Sequence, residues 1–249
     1  MKAKANLDAI SIILVRTRFP ENIGAVARIM KNMGLCRLIL VDGCSPLQMN
    51  AYKLASGAED LLERAEELPT LREAISGMEF VAGMTSRGGK ERKPFLTPEE
   101  LMKELIPLSA KNCAGIVFGS EREGLTNEEL SLCHRFVKIP SMEAFPSLNL
   151  AQAAAVLCYE LSKSSCLAPD HATHLARSDD IEGMFQHMEK TLIDMGFVEG
   201  RNPTRIMRVL RKLFGRTRLE DREVRILQGI WSKMDWQLKK IKRNNGILE

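Results

Sequence analysis

The sequence predicts an α/β domain on a mostly parallel sheet, followed by a basic helical tail. Short apolar runs alternate with helix-patterned segments as far as Lys163, the pattern of strands buried between helices. Helix starts between those runs are marked by capping residues. Beyond residue 179 the periodicity is helical throughout and no strand pattern remains.

The strands are expected at Ala9 to Val15, Leu38 to Val41, Phe80 to Met84, Ile116 to Phe118 and Phe136 to Ile139. Each run is short, apolar and bounded by turn residues or charge, as in strands covered on both faces. Thr97-Pro98-Glu99-Glu100 and Thr126-Asn127-Glu128-Glu129 are capping boxes, the first with proline at the first helical position. They launch helices over Glu99 to Leu108 and Asn127 to Cys133. A third helix, Asn149 to Ser162, is alanine-rich and apolar on nearly every face, which predicts burial. A Ser/Pro/His-containing stretch then reads as a linker, dividing the chain into 1–163, a linker at 164–178, and 179–249. The last part holds helices over Ile181 to Gly196, Pro203 to Phe214 and Leu219 to Lys242.

Composition narrows the function classes. At 45% hydrophobic and 27% charged residues the chain matches ordinary globular proteins rather than disordered or fibrous ones. No stretch approaches the ~20 apolar residues that span a bilayer, and no signal-peptide core follows Met1, so no membrane association and a cytoplasmic location are expected. The six cysteines form no C-x-x-C pair and read as reduced thiols. His171 and His174 have ligand-like spacing without further Cys or carboxylate partners, so no metal is expected. The net charge of +4 is mild but collects at the C-terminus. Fourteen Lys and Arg against five Asp and Glu lie between Arg201 and Glu249, a field that attracts a polyanion.

Familiar nucleotide motifs are missing: no G-x-G-x-x-G follows the first strand and no P-loop occurs. Three other segments stand out at strand ends, where open α/β sheets place ligand crevices. They are Glu21-Asn22-Ile23-Gly24-Ala25-Val26-Ala27-Arg28, Val117-Phe118-Gly119-Ser120-Glu121-Arg122-Glu123-Gly124-Leu125, and Ile139 through Pro146-Ser147-Leu148-Asn149-Leu150-Ala151. Singly, Asn22 reads equally as a helix cap, Gly119 and Gly124 as turn residues, and Pro146 to Asn149 as a helix entrance. Their joint occurrence in this order is what carries information.

The set N-x-G-x-x-x-R, F-G-x-E-x-x-G-L and I-P…S-L-N resembles the SpoU branch of the SPOUT methyltransferases over residues 8 to 162. Met188 to Gly229, with Asp194-Met195-Gly196-Phe197, Asn202-Pro203 and Leu213-Phe214, resembles the C-terminal extension of TrmJ-type tRNA methyltransferases. The resemblance implies a trefoil-knotted catalytic domain, which sequence alone would argue against, and a homodimer in which two subunits complete each site. It implies S-adenosylmethionine as cofactor, held by Met84, Thr85, Ser86, Gly119, Ile139, Pro146, Ser147 and Leu148. It also implies transfer of the methyl group to a ribose 2′-hydroxyl of tRNA, at cytidine or uridine 32 of the anticodon loop. By the same resemblance Arg28 is the catalytic arginine, with Asn22, Glu121, Ser147 and Asn149 as polar partners. A guanidinium is a poor base, so a phosphate clamp that also stabilises developing alkoxide suits Arg28 better.

Met142-Glu143-Ala144-Phe145, ahead of Pro146, departs from the family pattern at one wall of the implied adenosyl pocket. The loop from Arg87 to Lys93 is basic and reads either as solvated or as a grip on RNA phosphates through Arg87. In the tail, Arg201, Arg205, Arg208, Arg211 and Lys212 recur at helical spacing as RNA contacts, with Ile206, Leu210, Leu213 and Phe214 left to pack inward. Aromatic residues make up only 5% of the chain, which favours backbone and shape readout over base stacking. Two alternatives stay open: the same chemistry on rRNA or another tRNA site, and a non-catalytic RNA-binding protein that keeps the fold.

Overall fold

The Ile10 to Val15 run is apolar at all but one position and forms a strand buried along its whole length, which requires cover on both faces. Around it a computed structural model describes residues 2–86, 95–163, 165–167, 174–198, 203–215 and 217–244. The chain divides into two compact units, 1–173 and 174–249.

The first unit runs β1 (Lys2–Lys4), β2 (Ile10–Val15), α1 (Pro20–Asn32), β3 (Arg37–Val41), α2 (Met49–Ala55), α3 (Glu59–Glu63), β4 (Glu66–Leu68), α4 (Leu71–Ile75) and β5 (Phe80–Met84). It continues through β6 (Phe95–Leu96), α5 (Pro98–Leu108), β7 (Ala114–Phe118), α6 (Asn127–Ser131), β8 (Arg135–Val137), α7 (Leu150–Lys163) and β9 (Ser165–Leu167). Seven strands make one sheet in the order β4-β3-β2-β7-β5-β8-β6, and every pairing in it is parallel. From β2 the chain steps outward to β3 and β4, then crosses to build the other half, so the topological switch lies at the carboxyl ends of β2 and β7. Ligand crevices of open α/β sheets form at such points.

The five expected strands are all present, and both capping boxes form. Thr97 and Thr126 accept from the backbone N–H of Glu100 and Glu129, whose side chains bond back to the cap residues. One side of the sheet packs on α4 and α6 through Ile13, Val15, Ile39, Val41, Ile75, Val117 and Leu130. On α1, Gly24 lets α2 approach closely, since a Cβ there would lie 2.0 Å from the Ala51 carbonyl oxygen. Asn22 is not the helix cap: Phe19 occupies that position and Pro20 opens the helix, which frees the Asn22 amide for longer-range bonds. α7 buries Leu150, Ala151, Ala154, Leu157, Cys158 and Leu161, but Gln152 is exposed and Tyr159 is 51% exposed. Its alanines narrow the helix, and burial covers one broad face rather than the whole circumference. Residues 165–167, within the segment read as a linker, pair antiparallel with β1.

The second unit consists of α8 (Ser178–Asp194), α9 (Pro203–Phe214) and α10 (Asp221–Asn244). Met184, Phe185, Met188, Met207, Leu219 and Val224 form its core, with Ile181, Leu210, Phe214 and Trp231 packed around them. Asp235 on α10 receives the Thr191 hydroxyl at 2.7 Å and lies 2.9 Å from His187 Nε2. These contacts hold the Asp235 carboxyl below its usual range, the Thr191 bond contributing most.

Candidate active site

Four neighbouring strands, β2, β7, β5 and β8, end on one edge of the sheet, and the segments that follow them converge. A cavity of about 330 Å³ opens there, lined by Met84, Thr85 and Ser86 after β5, Phe118 to Leu125 after β7, and Ile139 with Pro146 to Leu148 after β8. Leu150 and Ala153 of α7 close it. Its volume lies at the lower end of the range for small-ligand pockets. The eight residues expected to hold a cofactor all line it: Met84, Thr85, Ser86, Gly119, Ile139, Pro146, Ser147 and Leu148. Thr85 is fixed by its N–H, which donates to the Val137 carbonyl at 3.0 Å. The Ser141 hydroxyl donates to the Pro146 carbonyl at 2.9 Å and ties the exposed loop on itself.

Glycine is required twice in the 119–125 loop. Gly124 has φ +65°, in the left-handed region, and its N–H returns to the Ser120 carbonyl at 2.9 Å. Gly119 lies against that turn: a Cβ on it would fall 2.1 Å from the Gly124 carbonyl carbon and 2.2 Å from the Leu125 nitrogen. Gly119 therefore packs backbone against backbone at the edge of the cavity, an approach that no side chain would allow.

A chain of polar contacts leaves this loop. The Glu121 carboxylate accepts from the backbone N–H groups of Arg18 and Phe19 at 3.3 and 3.4 Å and from Asn22 Nδ2 at 2.8 Å. Asn22 Oδ1 accepts from Asn149 Nδ2 at 3.1 Å. Asn149 Oδ1 in turn accepts from the Ala151 and Gln152 N–H groups at 2.8 and 3.4 Å, capping α7. Three of the five expected catalytic residues are thus one hydrogen-bonded string. Ser147 lies at the cavity, exposed. Arg28 is elsewhere: it is exposed on α1, outside the cavity lining.

Comparison with known proteins fixes what this arrangement belongs to. The profile of the SpoU rRNA Methylase family matches residues 9–159, more than half of the chain, and that of the tRNA methyltransferase TrmJ C-terminal domain matches residues 179–246. The chain belongs to the SpoU methylase family. A tRNA (cytidine/uridine/adenosine-2′-O-)-methyltransferase TrmJ of Pseudomonas aeruginosa is 41% identical over 238 residues, 90% of this chain and 93% of that protein. The tRNA (cytidine/uridine-2′-O-)-methyltransferase TrmJ of Salmonella typhimurium is 38% identical over 94% of this chain and 99% of its own. The crystal structure of TrmJ from Z. mobilis ZM4 superposes with a TM-score of 0.79 at 35% identity, covering 90% of this chain and 98% of the other. The α/β fold of this SpoU methylase is accordingly the SPOUT fold.

In the second unit of this SpoU methylase the tail arginines divide. Arg205, Arg208 and Lys212 are exposed on α9. Arg211 is engaged: its guanidinium forms two bonds to the Glu182 carboxylate, at 2.6 and 2.7 Å, and lies 4.5 Å from the Phe185 ring centre. Leu213 does not pack inward as its spacing suggests, being 54% exposed, with Val209 beside it at 63%; the inward stripe of α9 runs through Met207, Leu210 and Phe214 instead. Arg87 and Arg201, and the whole loop from Arg87 to Lys93, lie outside the described residues. So does His171, while His174 is exposed. Among the described residues no group of His, Cys, Asp or Glu is arranged to hold a metal ion, and no helix is long and apolar enough to cross a membrane. Cys36, Cys44, Cys113, Cys133 and Cys158 are free thiols. Sequence reasoning missed Arg16, whose side chain reaches the Gly124 carbonyl. Its place directly after a strand that ends at the crevice was the available clue.

Proposed function

We propose that this chain is an S-adenosylmethionine-dependent methyltransferase acting on the ribose 2′-hydroxyl of tRNA, at pyrimidine 32, the first nucleotide of the anticodon loop. The single observation that carries the reading is the convergence of three separated segments on one cavity, joined through Glu121, Asn22 and Asn149 to the helix that bears Arg28. The tRNA target is supported by the extension resembling TrmJ and by the activities in the names of the full-length relatives. The division into a knotted catalytic domain (1–163), a linker (164–178) and a basic extension (179–249) belongs to the same reading, as do a cytoplasmic location and a homodimer. Met142 and Phe145, 79% and 81% exposed beside the cavity, supply apolar surface for a second copy.

The cavity suits the cofactor. Its walls from Met84, Phe118, Leu125, Ile139 and Leu148 are apolar, the backbone at Gly119 offers amide groups to an adenine edge, and the carboxylates of Glu121 and Glu123 suit a cationic ligand. When bound, S-adenosylmethionine supplies an electrophilic methyl group on a sulfonium centre. The protein's part is mainly to align the 2′-hydroxyl with that methyl carbon. Arg28, on the exposed face of α1, clamps the neighbouring phosphate and stabilises negative charge developing on the ribose oxygen. Asn22 and Asn149, locked by Glu121 and by the α7 amides, give a rigid polar edge against which the ribose is set.

Purified protein incubated with labelled S-adenosylmethionine and bulk tRNA, followed by nuclease digestion and mass spectrometry, tests the proposal. A 2′-O-methylated cytidine or uridine at position 32, lost in Arg28→Ala, is the expected result. Product on rRNA or at another tRNA position would move the target. No product on any RNA, with RNA still bound, would leave a binding protein.

A further inference from the structure

Arg16 sits one residue beyond β2 with φ +53°, a backbone conformation unusual for any residue but glycine and held only where its surroundings enforce it. Its N–H donates to the Val41 carbonyl at 2.7 Å, at the end of β3. Its side chain turns toward the segment that follows β7, where Nη2 donates to the Gly124 carbonyl at 3.0 Å and Nη1 pairs with Glu129. Both side chains are largely buried, at 20% and 13% exposure. Glu129 is itself fixed as the third residue of α6, its other oxygen accepting the Thr126 N–H at 2.7 Å. One arginine thus joins the carboxyl ends of β2 and β3 to the turn that shapes the cavity.

The Gly124 peptide is the element on which Gly119 rests, and Gly119 lines the cavity. Glu121, between the two glycines, ties the same loop to the β2–α1 connection through Arg18 and Phe19 and to the first turn of α1 through Asn22. The loop is therefore fastened at two points, Glu121 and Gly124, to the stretch of chain that follows β2. The Glu121 tie is part of the string through Asn22 and Asn149, whereas the Arg16 tie holds the Gly124 carbonyl and Glu129 at the start of α6. The guanidinium bridges two acceptors, the Gly124 carbonyl and the Glu129 carboxylate, and charge-assisted hydrogen bonds of this kind are stronger than neutral ones.

We propose that Arg16 is a positioning residue for the cofactor: by holding the Gly124 carbonyl against the end of β2 it fixes the Gly119 wall and so sets S-adenosylmethionine affinity, without touching substrate. This rests on the reading of the cavity as the cofactor pocket. Arg16→Gly is the direct probe, because glycine adopts φ +53° without strain and only the side chain is lost. Calorimetric titration with S-adenosylhomocysteine should show about tenfold weaker binding, as removal of a charged hydrogen-bond partner gives. The KM for S-adenosylmethionine should rise in parallel, with kcat at saturating cofactor and the KM for tRNA within about twofold of wild type. Arg16→Lys should recover part of the affinity. Glu129→Gln, which keeps the capping-box acceptor but removes the ion pair, should weaken the cofactor about threefold, and it carries the test if Arg16→Gly does not fold.

Unchanged S-adenosylhomocysteine affinity in folded Arg16→Gly would overturn the proposal, and so would a lower melting temperature or lower kcat with the cofactor KM unmoved. If wild-type protein does not bind S-adenosylhomocysteine, the cavity reading falls first and the role of Arg16 falls with it. Those two failures are told apart by the wild-type titration alone.

Discussion

Arg28 illustrates how far a single side chain's role can be reasoned. Its guanidinium is exposed on α1, outside the cavity, and guanidinium is a poor base, so the role we propose for it is charge and geometry rather than proton removal. A lysine at that position retains the charge but loses the planar fork that grips phosphate and alkoxide together. Arg28→Lys is therefore expected to lower kcat about a hundredfold, within the range for removing one oxyanion donor, while S-adenosylhomocysteine affinity by calorimetry stays at the wild-type value. Full activity in that variant would remove the clamp from the mechanism. At this scale the cavity lining was legible through the family resemblance, which named Met84 to Ser86, Gly119, Ile139 and Pro146 to Leu148, and it fits a parallel sheet whose strand ends share one edge. The Arg16 contact was not: an arginine after a strand looks like any surface charge, and its partner Gly124 lies 108 positions away. Asn22 was legible as polar and placed, but its direction depends on Glu121 and Asn149, which only the fold brings together.

Between residues and fold stand the short elements, and they were the hardest to read. α2, α3, α4, β4 and β6 span two to seven residues each, too few for a period to show. They exist because the neighbouring strands need cover. The turn from α6 into β8 shows such context at work. His134 Nδ1 accepts the Val81 N–H at 2.9 Å, and the His134 N–H donates to the Val81 carbonyl at 2.8 Å, so side chain and backbone together continue the β5–β8 pairing one residue before β8 begins. Only neutral imidazole has the lone pair this needs, and burial beside Phe80, then Arg135, pushes the His134 pKa down to about 4. The unfolded chain binds this proton near pH 6.5, so it holds more protons than the folded one between those values. Stability from this group is full above about pH 6.5 and falls as the pH drops toward 4, by at most about 3 kcal/mol. Urea unfolding at pH 7.5 and pH 5 should show a smaller pH-dependent loss in His134→Asn, whose amide oxygen replaces the acceptor without titrating. Equal losses in the two proteins would assign the acid sensitivity to other groups.

At the scale of the whole molecule the proposed tRNA substrate poses the question of which charges of the basic tail are available to phosphate and which hold the fold. Sequence spacing treats Arg205, Arg208, Arg211 and Lys212 alike, because a 3.6-residue period places them near one another on α9 and says nothing of what lies opposite. The Arg211 fork is spent on Glu182 and its plane on Phe185, whereas Arg205 and Lys212 are exposed. Each exposed cation that neutralises a phosphate releases a counterion, so its removal lowers the slope of log affinity against log salt by about one. Arg205→Gln with Lys212→Gln should weaken tRNA binding, reduce the salt slope by about two and leave the melting temperature within a degree or so. Arg211→Gln should do the reverse: it removes the two-pronged Arg211 pair from the Glu182 carboxylate, 11% exposed, costs about 2–3 kcal/mol of stability, and leaves the salt slope unchanged. Fluorescence-anisotropy titrations of tRNA across 50–200 mM salt, paired with thermal unfolding of each variant, separate the two behaviours. A salt slope that falls in Arg211→Gln at undiminished stability would mean that the Glu182 pair opens to receive RNA, and the extension would then be a surface remodelled by its substrate rather than a preformed one.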